Sequence, residues 1–192
     1  MKTTQHTIKH DLHLACGNDH LRHRFSYIEF HDGIAYATDA HVAIRVQLTE
    51  VFKCEPEAAE LLTGYRIHAN VWRMLKSKRV EIMDKGVLML SPSPKHAPSA
   101  VLKLDETEFF NGKSLKSSID AIWPKVNDKQ ALDEIGINTS CLSRASKACR
   151  FEYSQAKLTF FARNKTILVQ SNDGGKTKSE AVVMPVLLNS CL

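Results

Sequence analysis

The chain has 192 residues, 43% of them hydrophobic, enough for one large domain or two small ones with their own cores. Its formal net charge of +5 and pI near 8.9 permit an acidic partner such as a nucleic acid without requiring one. No apolar run is long enough to span a membrane, the start MKTTQHTIKH is polar, and the five cysteines form no CxxC pair, so a cytoplasmic protein with reduced thiols and no membrane partner is expected.

Three segments repeat one plan, a short helix followed by strands joined by a tight turn. In IKHDLHLAC, Ile8, Leu12, Ala15 and Cys16 fall on one helical face, with Lys9, His10 and His13 on the other. FSYIEFHDGIAYAT follows, with Asp32-Gly33 as a hairpin signal between two alternating runs. The second helix lies in IHANVWRMLKS, with Asn70 as its N-cap, Val71, Met74 and Leu75 on one side and Arg73 and Lys76 on the other. RVEIMDKGVLML then gives two strands around Gly86, and SPSPKHAPS reads as an exposed loop before strand VLKL. SLKSSIDAIW predicts a short helix that ends before Pro124, because proline cannot continue it. The third repeat opens with NTSCLSRASKAC, capped by Asn138 or Thr139, with Leu142, Ala145 and Cys149 as its apolar stripe. Arg144 and Lys147 lie opposite, with Arg150 at the edge of that face. Strands are expected within RFEYSQAKLTFFARNKTILVQSND, and EAVVMPVLL supplies the last one. Ile28-Glu29-Phe30, Val80-Glu81-Ile82 and Phe151-Glu152-Tyr153 align as the first strand after each helix.

Amphipathic helices followed by strands pack most simply as an α+β fold, antiparallel sheets with helices on one face. Lys9, Arg73, Lys76, Arg144, Lys147 and Arg150 would then share a basic surface, with His13, Arg22 and Arg24 added to the expected DNA-binding set. Such a surface suits the phosphate backbone of double-stranded DNA, bound without sequence preference. The competing explanation is that these charges are simply the solvated faces of their helices.

The run RFSYIEFHDGIAYATDAHVAIRV resembles the middle domain of the bacterial DNA sliding clamp, the β subunit of the replicative polymerase, where a hairpin leads into a Thr-Asp-Gly-His-Arg-Leu-Ala signature. The match here is Thr38, Asp39, Ala40, His41, Val42 and Ala43. VVMPVLL, Val182 to Leu188, is similar to that family's closing Val-Val-Met-Pro-Met-Arg-Leu, and INTSCLSRASKAC to its last helix. IDAIWPK, with Asp120 and Pro124, is similar to its link between middle and last domains. The matches run in family order from Ile8 to Leu188.

The resemblance implies a DNA-clamp-like fold and a non-catalytic processivity or scaffold role in DNA replication or repair. It implies as partners double-stranded DNA, a DNA polymerase or other clamp-binding peptides, and a homo-oligomer. The partner-peptide groove would be formed by Thr38, His41, Pro124, Val182, Val183, Met184, Pro185 and Val186. Residues 1–112 would form a complete clamp-like domain, 113–136 a linker with a short helix, and 137–192 a partial clamp-like domain. The family's Gly, Arg and Leu are Ala40, Val42 and Ala43 here, and its C-terminal Arg is Leu187.

Other chemistry fits less well. Gly174-Gly175-Lys176-Thr177 lacks the leading glycine of a phosphate loop, since position 170 is Gln170, and strand residues follow where a helix should. His6, His10 and His13 share a helical face but lack a completing ligand set, so no metal and no cofactor are expected. Asp39 and His41 have no activated Ser or Cys beside them, so no catalytic residue is assigned and the protein is not expected to be an enzyme. The first alternative is a clamp-fold peptide-binding module, or a decoy occupying clamp partners, that does not encircle DNA. The second, a hydrolase or nucleotidyl enzyme, would need clustered acids or a phosphate loop.

Overall fold

The structure, a computed structural model, describes residues 6–17, 20–76, 78–91, 100–107, 114–124, 135–151, 156–161, 165–171 and 179–186. β2 (Tyr27–His31) and β3 (Ile34–Thr38) form the hairpin expected at Asp32-Gly33. Asp32 and Gly33 both take positive φ, 50° and 70°, the backbone a tight two-residue hairpin requires. β4 (Val42–Gln47) pairs with β3 and leads into α1 (Leu48–Phe52) and α2 (Pro56–Glu60). β5 (Tyr65–His68) pairs with β2 and feeds α3 (Ala69–Leu75). β1 (His6–Thr7), β6 (Arg79–Asp84), β7 (Val87–Ser91) and β8 (Ala100–Lys103) form a separate four-stranded sheet in that order. Gly86 turns the β6–β7 connection at φ 63°, and a Cβ there would stand 2.3 Å from the Tyr65 ring.

β9 (Asp105–Glu106) precedes α4 (Leu115–Ile122), which ends at Trp123, just before Pro124. β10 (Gly136–Ile137) then enters α5 (Thr139–Cys149), capped by the Asn138 side chain, which accepts from the Ser140 N–H at 2.9 Å. β11 (Ala156–Thr159), β12 (Ile167–Ser171), β13 (Glu180–Val183) and β14 (Pro185–Val186) complete the chain. The principal sheet has eight strands in the order β11-β12-β13-β4-β3-β2-β5-β9, and every pairing is antiparallel. Strands from either side of the connection 113–136 pair directly, β13 against β4, so the segments 1–112 and 137–192 share one sheet.

Alternation of side chains gives that sheet two different faces. Ile28, Phe30, Ala35, Ala37, Val42, Ile44, Val46, Val169, Ala181 and Val183 enter the main core, together with Leu12, Trp72, Ala145 and Cys149 from the helical elements. The 3-10 turn Leu12–Ala15 packs between α3 and α5 on this face. Tyr36, Ala43 and Val182 point the other way and are closed over by Leu115 and Ile119 of α4. The protein is thus an α+β fold of antiparallel sheets, with the three repeated helical elements on one face of the larger sheet.

Three local expectations are corrected. The first helix, expected over residues 8–16, shrinks to the 3-10 turn, because Ile8 is extended and donates its N–H to the Lys78 carbonyl at 3.3 Å. In α3 the inward residues are Ala69, Trp72 and Leu75, and Met74 is 73% exposed: the bulky indole wins the buried side. The cap of α3 is His68, whose Nδ1 accepts from the Asn70 N–H at 3.1 Å, rather than Asn70 itself. Residues 92–99 of the expected Pro/Ser loop and the Gly174–Thr177 turn lie outside the described residues.

Candidate functional site

The Thr38–Val42 turn is built from its own side chains. The Thr38 hydroxyl donates to the Val42 carbonyl at 2.7 Å and accepts from the Ala40 N–H at 3.0 Å. Asp39 Oδ1 accepts from the N–H groups of His41 (2.9 Å) and Val42 (2.8 Å), and Asp39 Oδ2 from Arg144 Nη1 of α5. The other Arg144 nitrogen, Nη2, donates to Cys141 Sγ at 3.3 Å. This wiring holds Ala40 at φ 74°, a left-handed backbone where the matched clamp signature has glycine. The His41 carbonyl accepts the Met184 N–H at 2.9 Å, so the turn fixes the point where β13 passes into β14.

The turn and the C-terminal strand therefore stand together, but their side chains differ in reach. His41 is exposed, Met184 (37%) is an exposed apolar group joined to it, and Val186 (44%), paired with Gly136, is a second one further along, with Pro185 half-buried between them. Val183 is closed into the main core, Val182 lies under α4 and Thr38 is buried with its hydroxyl committed. These three support the surface from beneath and leave the set that can touch a partner.

Pro124 lines a cavity of about 240 Å³ on the α4 side of the sheet, with Trp123, Phe161 and Leu168 as apolar walls and Arg45, Gln170 and Glu180 as polar ones. Sequence reasoning missed these last three. They belong to one cross-strand row spanning all eight strands: Lys157, Gln170, Glu180, Arg45, Tyr36, Glu29, Arg66 and Asp105 are successive partners. Gln170 Nε2 donates to Glu180 Oε1 at 2.7 Å, and Arg45 donates to Glu180 at 3.1 Å and to Asp120 of α4 at 3.3 Å. The Arg45 guanidinium also stacks 3.8 Å from the Trp123 ring centre. The one available signal was Arg45 itself, a charge inside the apolar strand Val42–Gln47.

The expected DNA-binding residues divide. Lys9, Arg73, Lys147 and Arg150 are exposed, on or next to the three adjoining helical elements. Lys76 shares that side but pairs with Asp11 at 2.6 Å. His13 is half-buried there, and its burial, with Lys76 and Arg73 nearby, holds its pKa below the ordinary histidine value against the opposing pull of Asp11. Arg144 is taken up by Asp39. Arg24 lies on the opposite face of the sheet, 3.7 Å from the buried Glu29, and so leaves the set. Arg22 belongs to the 3-10 turn His20–Ser26, and its side chain is outside the described residues.

Among the described residues no group of three or more His, Cys, Asp or Glu is placed to hold a metal ion, and no helix is long and apolar enough to cross a membrane. Burial pushes the Cys16 and Cys149 thiols up, which suppresses the thiolate a nucleophile needs.

This fold of antiparallel sheets and helices is shared with bacterial DNA sliding clamps of known structure. It is similar to the DnaN sliding clamp (DNA polymerase III subunit beta) of Bartonella birtlesii bound to griselimycin, at TM-score 0.58 and 13% identity over 93% of this chain and 64% of that one. A Pseudomonas aeruginosa polymerase sliding clamp with ligand gives TM-score 0.54 and 12% identity over 93% of this chain and 62% of that one. A DNA polymerase III beta subunit of Eubacterium rectale gives TM-score 0.52 and 10% identity over 99% of this chain and 68% of that one. This chain thus spans slightly less than two thirds of the first two clamp chains. No protein-family model matches the sequence, and no curated protein matches it.

Proposed function

We propose that this chain is a non-catalytic clamp-type scaffold that holds duplex DNA along its helical face and docks partner segments, such as those of a DNA polymerase, beside Met184, in the cytoplasm. The observation that carries the reading is the joint placement of Arg73, Lys147 and Arg150 on neighbouring helical elements of one sheet face. Rigidly spaced cations suit a phosphate backbone and release its counterions on contact. Encirclement of DNA would be achieved by a closed homo-oligomer. The test is duplex binding across a salt series for Arg73→Ala/Lys147→Ala/Arg150→Ala against the parent, with solution mass followed by light scattering with and without DNA. The reading expects weaker binding and a shallower salt slope, by about 0.9 per phosphate contact removed. Unchanged binding would sink the DNA-facing assignment.

A second reading, a peptide-docking module that does not encircle DNA, is favoured by the exposed apolar pair Met184 and Val186. It expects Met184→Asp to abolish griselimycin binding while duplex binding is absent from the start.

A further inference from the structure

Arg144 reads in the sequence as a cation for the DNA backbone, yet its guanidinium is directed at the Thr38–Val42 turn. We infer that Arg144, acting through Asp39, is a positioning residue for the docking surface around Met184 rather than a DNA contact. The inference rests on the docking half of the reading above. The chain of contacts is continuous. Arg144 Nη1 on α5 donates to Asp39 Oδ2, and Asp39 Oδ1 accepts from the amides of His41 and Val42. The carbonyl of His41 in turn accepts the Met184 amide.

Three features make this link matter. The Asp39 side chain is only 11% exposed and that of Arg144 31%, so the pair is screened less than a surface ion pair. The turn holds a non-glycine residue, Ala40, at positive φ, a conformation that persists only where its surroundings enforce it. The helix that supplies Arg144 also presents Lys147, one turn on and exposed, so the two cations separate by role within one element. An Asp39 deprived of Arg144 still accepts from the His41 and Val42 amides, so the turn loosens rather than unfolds, and Met184 loses its fixed origin.

The experiment compares Arg144→Met, Arg144→Lys and Lys147→Ala in the full chain by amide hydrogen exchange, griselimycin binding and duplex binding across a salt series. Arg144→Met should speed exchange at His41, Val42 and Met184 by about tenfold and weaken griselimycin binding, with the salt slope unchanged. Arg144→Lys should restore most of the protection, and Lys147→Ala should flatten the salt slope while leaving the three amides alone. Unmoved exchange at those amides in Arg144→Met, or a salt slope that falls by about one, would overturn the inference. A parent chain that fails to bind griselimycin would count against the docking reading, and the exchange data would still decide the role of Arg144.

Discussion

Glu29 Oε2 accepts the backbone N–H of Leu115 at 2.8 Å, joining the middle of the large sheet to the first turn of α4 across 86 residues of sequence. The same oxygen lies 3.1 Å from His31 Nε2, and Arg24 Nε stands 3.7 Å from Oε1. A fully buried carboxylate therefore anchors one end of α4, while Asp120 and Arg45 hold the other. Glu29→Ala should lower unfolding free energy by about 3–5 kcal/mol, since it takes the hydrogen-bond partner from the Leu115 amide and from His31 and leaves Arg24 without its nearby carboxylate. Chemical denaturation measures this, and faster hydrogen exchange in α4 should accompany it. A loss below about 1 kcal/mol would show that α4 docks by its apolar face alone.

Trp72 is fully buried, and its indole N–H donates to the His10 carbonyl at 3.0 Å. Phe30 and Phe52 stand 6.3 and 6.1 Å from it, ring centre to ring centre. Trp72→Phe should cost about 1–3 kcal/mol through the orphaned carbonyl and the lost ring volume. Trp72→Ala should cost about 3–5 kcal/mol by opening a cavity in the main core. Urea midpoints of the two variants, compared at equal slope, decide between the two magnitudes.

Ala40 is exposed and held at φ 74°. Ala40→Gly relieves that strain while loosening the unfolded chain, and the first effect should prevail because the exposed methyl group buries little surface. A gain of up to about 1 kcal/mol in thermal or chemical unfolding is expected. Destabilisation would mean that the left-handed conformation costs this alanine little.

The pKa of His13 is held below 6.5, first by burial and then by Lys76 and Arg73. The unfolded chain therefore takes up a proton before the native protein does. Stability is full above pH 6.5 and declines as the pH falls from there through the lower native value. Unfolding free energy measured from pH 7.5 to 5 should fall more steeply in the parent than in His13→Asn. Parallel curves would remove His13 as a source of acid sensitivity.

What could be read in advance followed from local chemistry. The Asp32-Gly33 hairpin, the Asn138 cap and the stop before Pro124 each depend on a few neighbouring residues, and each stands where the sequence put it. The 3-10 turn at Leu12 and the outward Met74 were not legible, because long-range partners override local periodicity there. Lys78 draws Ile8 into an extended path, and the core claims Trp72. The groove motif was legible as two segments that meet, but not in its depth. Whether Val182 or Val183 faces a partner depends on the register of β13 against β4, which no periodicity reports. The polar row through Arg45 and Glu180 was hidden for the same reason, since those two residues are 135 positions apart.

The place of β13 also sets the order in which this molecule can be assembled. During synthesis β2, β3 and β4 emerge early and can pair through short connections, but the open side of β4 has no partner until Glu180–Val183 has been made. Until then β4 offers an unpaired apolar edge, the kind of surface on which nascent chains adhere to one another. Closure of the sheet between β12 and β4 is a late, long-range event, so folding should be slow for the protein's size. The strand that ends this exposure runs directly into the docking segment that begins at Met184.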